Sequence, residues 1–295
     1  MISAYLISCS LPAVSYHVMR CRGKEIALLL QEFSHLSCST YDRKGDMLLI
    51  IICCMPFLFS ISVTATSIMT KDTEQFTYGY DVGSTPLKTF VLGLKFFLYF
   101  LLHPTLNNLF ALLYCTICMR CRALIRDLKA EVMQYQLESF NVSKQFDILR
   151  QKEKLDSILD RTESIFSLSS FLIIITNILS CSSILGTTLL GADLQLHVVT
   201  QWLFYTIGVF GCLLTVFWVA GGISIELKEF KDAYYNKACA RMLKSGIPEE
   251  PRMERWVLDK PDFVLTGYGI FSYTRNTLLA MVGALLTYTI LVVNK

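Results

Sequence analysis

Two ionisable side chains, Lys95 and His103, lie inside the apolar stretch 87–118 of this 295-residue chain. A titratable group in such a stretch is costly to place in lipid, so it marks a candidate functional position. Lys95 lies within about two helical turns of one end of the stretch, where its flexible stem lets the ammonium reach water. His103 lies deeper and precedes Pro104, which is expected to kink a helix and free a backbone carbonyl. His103 is therefore the stronger candidate of the two.

Aromatic and polar side chains recur beside His103 and again near the start of a later apolar stretch. Aromatic walls with a few polar groups are suited to binding a small organic molecule. They are equally suited to helix packing and to the aromatic belts of membrane interfaces, so both interpretations stay open. The candidate ligand-binding residues are Phe96, Tyr99, Phe100, His103, Asn177, Gln201, Trp202 and Tyr205.

Signatures of the common soluble enzymes are missing from the sequence: it has no P-loop, nucleophile elbow, zinc-protease helix or dinucleotide-binding glycine pattern. Cys115, Cys118 and Cys121 have no matching cysteine or histidine pair for a zinc site, which leaves packing or acylation for them. The net charge of +3 is too small to favour nucleic acid as a partner. We therefore expect no enzymatic activity, no metal and no cofactor.

The composition predicts a membrane protein. Apolar residues make up 53% of the chain and charged residues 17%, with a mean hydropathy of +0.48, whereas about 25% of residues are charged in ordinary globular domains. The apolar residues are gathered into runs of about twenty, which can cross a hydrocarbon layer of about 30 Å. We expect an all-α polytopic protein with about six spans, at residues 1–19, 47–70, 87–118, 165–190, 197–222 and about 278–293.

Lysine and arginine are distributed unevenly between the connecting segments. Segments 20–46, 120–163 and 223–262 contain 5, 9 and 8 of them, whereas the alternate connections contain 3. Basic loops remain on the cytoplasmic side of a membrane, so these three segments are predicted to be cytoplasmic and the C-terminus extracellular. A basic cluster follows the first apolar run instead of preceding it, which favours a span over a secretory signal.

The long basic segments contain apolar residues at helical spacing among alternating charges, as in residues 144–164 and 227–238. This pattern is typical of amphipathic helices. It predicts that the membrane helices extend into the cytoplasm and pack as a small anchor bundle, or else form two solvated charged helices. The chain would then consist of spans in 1–222, an anchor segment in 223–264 and a last helix in 265–295.

The C-terminal stretch GYGIFSYTRNTLLAMVGALLTYTILVVNK resembles the last helix of the arthropod gustatory receptor family, which ends in Thr-Tyr, five mainly apolar residues and Gln-Phe. Thr287 and Tyr288 match the first pair, and residues 289–293 supply the middle. The final pair departs from the pattern, with Asn294 in place of glutamine and Lys295 in place of phenylalanine. The upstream residues that fit the looser part of the pattern are Gly269, Phe271, Arg275 and Leu278.

The resemblance implies a seven-span receptor of the plasma membrane, and hence that this chain lacks the first helix. It further implies a homo- or hetero-tetrameric cation channel opened by a small-molecule tastant, with the last helix of each subunit lining the pore. Leu291 and Val292 would supply an apolar gate, and Asn294 a group that coordinates a passing ion. Four Lys295 ammonium groups would repel cations, an effect that adjacent carboxylates partly offset. The implied pore and gate residues are Thr287, Tyr288, Leu291, Val292, Asn294 and Lys295.

Three other classes of membrane protein are alternatives. A G-protein-coupled receptor requires the opposite orientation and typically an acidic-Arg-Tyr triplet and an external disulfide, which the sequence lacks. A secondary transporter predicts related halves with broken helices and buried carboxylates, yet no Asp or Glu lies in the core of any predicted span. An accessory membrane subunit remains open.

Overall fold

The computed structural model describes residues 2–36, 43–69, 84–189, 195–245 and 263–293. The protein is an all-α polytopic membrane protein, as its composition predicts. An antiparallel hairpin, β1 Thr266–Gly267 and β2 Phe271–Ser272, precedes the last helix. The helices are α1 Ile2–Cys21, α2 Gly23–Leu36, α3 Arg43–Met69, α4 Thr85–Phe100, α5 Leu106–Gln134, α6 Val142–Leu189, α7 Leu196–Ser245 and α8 Arg275–Val293.

Among the described residues, four helical segments are long and apolar enough to cross a membrane, and they cover most of each of the four middle predicted spans. The helices α1 and α8, of 20 and 19 residues, lie where the first and last spans are predicted, and their passage through the membrane stays a prediction. The predicted last helix begins only at Arg275, because the hairpin occupies the start of 265–295. The four membrane-capable segments are Gly45–Met69, Pro86–Gln134, Val142–Gly186 and Leu196–Lys244.

A wide turn, Leu101–Thr105, joins α4 to α5 in one continuous rod and has π-helical geometry. The N–H of Leu106 donates to the carbonyl of Leu101, five residues earlier. Pro104 accounts for the turn, because it has no N–H and its ring would clash with the carbonyl four residues before it. The predicted kink and free carbonyl stay predictions, and the structure instead shows a wide turn in which His103, Pro104 and Thr105 are all buried.

The connection after the first predicted span contains a helix, α2, that the charge pattern alone did not indicate. Ile26, Leu29 and Phe33 are buried on one face of α2, at the spacing of an amphipathic helix. On its polar face, Glu32 forms an ion pair with Arg161 of α6 at 2.7 Å. α2 therefore lies against the basic part of α6, and the two helices pack together.

The extensions of α5, α6 and α7 beyond the predicted spans pack against one another, so the alternative of two solvated charged helices is wrong. We call this unit, residues 120–163 and 223–245, the bundle. The bundle shares one hydrophobic core with the adjoining parts of the membrane-spanning segments. The buried side chains of the bundle include Ile125, Leu128, Val132, Phe140, Ile148, Leu155, Ile158, Leu159, Leu227, Phe230, Tyr234 and Ala238.

A carboxylate on α7 holds α5 within the bundle. Glu226 accepts from Arg122 at 3.2 Å and from Arg126 at 2.6 Å. Gly222 leaves room for the Arg122 guanidinium, because a Cβ at this position would collide with it. Burial acts to raise the pKa of Glu226, but the hydrogen bonds from the two arginines outweigh this effect and hold the pKa below its usual value. The ionised carboxylate is thus the form that the bundle stabilises.

Polar side chains cap the helix ends where α5 turns into α6. The ammonium of Lys237 on α7 donates to the carbonyls of Val132 and Met133, at 2.6 Å and 3.0 Å. Both carbonyls belong to the last turn of α5, where no intrahelical donor follows. Asn141 precedes α6, and its Oδ1 accepts from the N–H of Lys144 at 2.9 Å, which is the geometry of an N-cap.

Candidate functional site

Phe59 of α3 is the centre of a buried set of rings between α3, α4 and α7, which we call the aromatic cluster. Its ring centroid lies 4.4 Å from that of Phe100 and 5.7 Å from that of Tyr205. These separations, stacked or edge-to-face, are the ones that aromatic pairs favour. The members of the aromatic cluster are Phe59, Phe96, Tyr99, Phe100, Phe204 and Tyr205.

Small and hydroxyl-bearing residues bring α3 close enough to α4 for the aromatic cluster to form. The hydroxyl of Ser60 donates to the carbonyl of Gly93 at 2.6 Å. A Cβ at Gly93 would lie 3.6 Å from Ser60 Oγ and 3.7 Å from Thr64 Oγ1, so the helices are already in close contact. Ser60, Thr64 and Ser67 are all buried and form one stripe along α3.

His103 connects the aromatic cluster to α6. Its ring centroid lies 6.0 Å from that of Tyr205, and its Nε2 lies 3.3 Å from the hydroxyl of Ser180. One turn before Ser180, the side chain of Asn177 lies near the thiol of Cys212 on α7. Polar groups of three helices therefore meet at one end of the aromatic cluster.

Five of the eight residues predicted as ligand contacts come together here: Phe96, Tyr99, Phe100, His103 and Tyr205. Asn177 lies one turn along α6 from the serine that contacts His103. Gln201 and Trp202 are half-buried about one turn before Tyr205 on α7, and the structure does not bring them into the network of ring contacts. The predicted site is thus mostly one assembly, with two members at its margin.

The pore and gate residues predicted on the last helix lie apart from the aromatic cluster. Thr287 is exposed on α8, and its hydroxyl donates to the carbonyl of Gly283 at 2.9 Å. Tyr288, Leu291 and Val292 belong to α8, although their side chains fall outside the described part of the chain. Asn294 and Lys295 lie beyond the described residues. The role of these six residues stays a prediction.

The hairpin before α8 is fastened to α6 by a carboxylate. Glu163 accepts from the backbone N–H of Thr266, with 3.0 Å to each of its oxygens, and also from the hydroxyl of Thr266. The hydroxyl of Ser167, one turn further along α6, accepts from the N–H of Tyr268 at 2.7 Å. Tyr268 and Gly269 have φ of 54° and 69°, the consecutive left-handed residues that a type I′ turn requires.

Tyr273 completes this attachment, which we call the hairpin clamp (Glu163, Ser167, Ser170, Thr266 and Tyr273). Its ring is fully buried, and its hydroxyl donates to Ser170 Oγ at 2.7 Å. Since α8 begins only two residues later, the hairpin clamp fixes the start of α8 on α6.

A contact between α7 and α8 lies close to the hairpin clamp. The guanidinium of Arg275, the first residue of α8, lies 4.0 Å from the ring centroid of Trp218 on α7, a cation–π contact. Gly221 of α7 approaches the carbonyl of Tyr273, which a Cβ would meet at 3.0 Å. The start of α8 is thus held from two sides.

Two parts of this arrangement had no counterpart among the predicted site residues. Phe59 is not among the predicted site residues, although the stripe of Ser60, Thr64 and Ser67 beside it marks a helix face that contacts other helices. Glu163 lies in a charged run, where a sequence offers no sign that one carboxylate differs from its neighbours. Among the described residues, no three histidine, cysteine or acidic side chains form a metal site.

Solved structures with the same arrangement of helices are known. A structure of the insect olfactory receptor OR5 from Machilis hrabei in complex with eugenol is similar to this chain, at a TM-score of 0.68 and 13% sequence identity. The alignment covers 99% of this chain and 80% of the receptor chain. The chain has an insect chemoreceptor fold. A second structure of the same receptor aligns with 98% of this chain and 78% of its own, at a TM-score of 0.70 and 14% identity.

The insect chemoreceptor fold is recognised from structure only. No protein-family model matches the sequence, and no curated protein matches it by sequence. The fold agrees with the resemblance of the C-terminal stretch to a chemoreceptor family, and it extends over nearly the whole chain.

Proposed function

We propose that this protein is a chemosensory receptor of the gustatory type, a subunit of a tetrameric cation channel that a small-molecule tastant opens. The observation that carries the proposal is the continuous helix α6. At Ser180 it contacts His103, whose ring lies beside Tyr205 of the aromatic cluster, and at Glu163 it holds the hairpin that precedes α8. The two points lie 17 residues apart on α6, about 26 Å along its axis.

In this proposal the ligand binds at the aromatic cluster. Aromatic walls with a few polar groups are what a site for a small organic molecule requires. The wide turn at Leu101–Thr105 places His103 beside Tyr205, and π-helical turns are frequently found at functional sites. Gln201 and Trp202 lie near the outer end of α7 and would contact a ligand as it enters.

In this proposal α8 lines the pore. One side of α8 lies against α6 and α7, whereas the opposite side is exposed in a single subunit. That exposed side contains small residues and one hydroxyl, at the spacing of a helix face that approaches other helices closely. Four such faces around an axis would bring Thr287 toward the centre of a tetramer. The residues of the exposed side include Ala280, Gly283, Ala284 and Thr287.

The orientation that the basic residues predict fits the same proposal. The bundle contains the basic segments and would lie in the cytoplasm, with the end of α8 outside the cell. The ion pairs and caps between α5, α6 and α7 would keep the bundle rigid while α8 moves relative to it. A transporter or a G-protein-coupled receptor would require different topologies, and no contact described above favours either.

Recording of cation current from cells that express the chain tests the proposal. At least one compound from a panel of small aromatic and polar tastants should evoke a current. Phe59→Leu should shift the half-effective concentration at least about tenfold without reducing surface expression, because the substitution removes the central ring of the aromatic cluster. Phe146→Leu, in an exposed position of the bundle, is the matched control and should leave the concentration unchanged.

A second pair of variants separates the pore from the ligand site. Thr287→Ala should change the size or ion selectivity of the current while the half-effective concentration stays the same. Thr215→Ala on α7 is its control, because Thr215 is also exposed and also donates to the carbonyl four residues before it. Uptake of a compound without current, or no current from protein that reaches the cell surface, would refute the channel.

A further inference from the structure

Asn107 on α5 is buried to 1% exposure within the membrane-spanning part of the chain. Neither its Oδ1 nor its Nδ2 has a hydrogen-bond partner among the residues that the structure describes. The same holds for Nδ2 of Asn177, which is equally buried on α6, and for Oγ1 of Thr105. Polar groups in such a place are ordinarily paired, because a lipid or protein interior offers no water to replace the missing partner.

The two amides lie at one level of the helix packing. His103 contacts Ser180, and Tyr114 lies against Phe166 with ring centroids 5.5 Å apart, so α5 and α6 run antiparallel. Asn107 lies one turn inward from His103 on α5. Asn177 lies one turn inward from Ser180 on α6. Both amides therefore lie about one helical turn from the contact between His103 and Ser180, at the end of the aromatic cluster where His103 lies beside Tyr205.

We propose that Asn107 and Asn177 bind the polar head of a ligand whose aromatic body packs in the aromatic cluster. An unpaired carboxamide presents one acceptor and two donors, so its complement is a group that both donates and accepts, such as a hydroxyl. The buried polar side chains within about one turn of the two amides on α5 and α6 include the hydroxyls of Thr105 and Ser180, and the His103 ring has a neutral hydroxyl as its contact, which favours a neutral head over an ion. The class of ligand is a small neutral aromatic molecule with one hydroxyl or amide, an inference that rests on the proposed function.

This assignment separates specificity from bulk affinity. The rings of the aromatic cluster accept any aromatic body of suitable size, because apolar contacts discriminate weakly between similar shapes. A buried amide, in contrast, favours a ligand that pairs with it, since an apolar ligand of the same shape leaves the amide without a partner. Asn107 and Asn177 are thus specificity-determining residues, and Phe59 and Tyr205 supply the apolar contact.

Two probes of equal shape test the inference: 2-phenylethanol and propylbenzene, which differ by a hydroxyl in place of a methyl group. The full chain, purified in detergent, is heated with increasing amounts of each probe. We expect 2-phenylethanol to raise the melting temperature at a concentration at least about tenfold below that of propylbenzene. Asn107→Leu and Asn177→Leu should each bring this ratio to about twofold or less, because leucine keeps the branched shape of asparagine and lacks its polar atoms.

Asn108→Leu is the control, since Asn108 is the next residue of α5, is only half-buried and lies against Gly208 of α7. It should keep the tenfold preference. In the absence of probe, Asn107→Leu should melt no lower than the natural chain, whereas an asparagine that only supports helix packing would lower the melting temperature when replaced. If Asn107→Leu does not fold, Asn177→Leu provides the same comparison.

A preference below twofold in the natural chain, no stabilisation by either probe, or a preference that survives both leucine substitutions would overturn the inference. The melting temperature reports ligand binding alone, so its result is independent of ion conduction. A clear preference in a protein without current would refute the channel and leave the binding assignment standing. A ligand-evoked current without the preference would overturn the binding assignment and leave the proposed channel standing.

Discussion

Replacement of Glu163 by alanine should loosen the start of α8 without unfolding the protein. The carboxylate accepts from both the N–H and the hydroxyl of Thr266, and it is one of several ties between the hairpin and α6. A hydrogen bond to a charged group contributes about 1.5–3 kcal/mol. Because the site is only partly buried, we take about 1–1.5 kcal/mol for each of the two bonds, which gives about 2–3 kcal/mol for the pair. The detached hairpin would then become about 30 to 150 times more populated.

Hydrogen–deuterium exchange of the peptide that covers residues 263–274 measures this directly. The amide of Thr266 is protected by Glu163, and that of Tyr273 by the carbonyl of Leu265 at 2.9 Å. Both should exchange about 30 to 150 times faster in Glu163→Ala, since exchange follows the population of the open form. Peptides from the bundle should be unaffected.

Asp160→Ala is the matched control, because Asp160 is an exposed carboxylate one turn earlier on α6. It should leave the exchange of 263–274 unchanged. Thr266→Val, which removes only the hydroxyl, should have an intermediate effect. Equal protection in Glu163→Ala and in the natural chain would refute the view that this carboxylate holds the hairpin.

Two further predictions concern the bundle. Glu226→Gln should reduce stability by about 1–2 kcal/mol at neutral pH, because Arg122 and Arg126 lose an ionised partner. Since the pKa of Glu226 is lowered in the folded protein, its contribution is fully present above the usual carboxyl pKa and is lost as the pH falls through the lower folded pKa, so the difference between thermal melts of the two proteins should be smaller at about pH 4 than at pH 7. A constant difference across this range would contradict the argument. Asn141→Ala should cost about 1 kcal/mol by loss of the cap of α6, whereas Asn236→Ala, on an exposed face of α7, should change stability by less than about 0.5 kcal/mol; equal losses in a denaturant titration would argue against capping.

The spans and the amphipathic extensions could be predicted from the sequence because each depends on a local pattern. Runs of about twenty apolar residues leave few alternatives to a membrane helix. Phe230 and Tyr234 recur at helical spacing, and this spacing predicted that their side of α7 is buried in the bundle. The disturbance at Pro104 also follows from one residue type, whose missing N–H prevents regular α-helical hydrogen bonding.

Contacts between distant segments could not be predicted in the same way. Phe59 lies between rings of α4 and α7 because of how three helices cross, which no spacing along one helix determines. Glu163 and Thr266 are 103 residues apart in the chain, and their pairing depends on the hairpin that places a backbone N–H beside α6. His103 was found from the sequence because a titratable group in an apolar run is unusual by itself, whereas its partner Ser180 is an ordinary residue of a membrane helix.

The π-helical turn at Leu101–Thr105 has a consequence for how the chain tolerates insertion and deletion. One additional residue in a turn rotates everything that follows by about 100° relative to a regular α-helix. That rotation sets the angular phase between the face of α4 that bears Phe100 and the face of α5 that bears Asn107 and, further along, Arg122. Removal of a single residue from the turn would leave both halves helical yet point their functional faces in different directions, so length here is constrained as strictly as residue type.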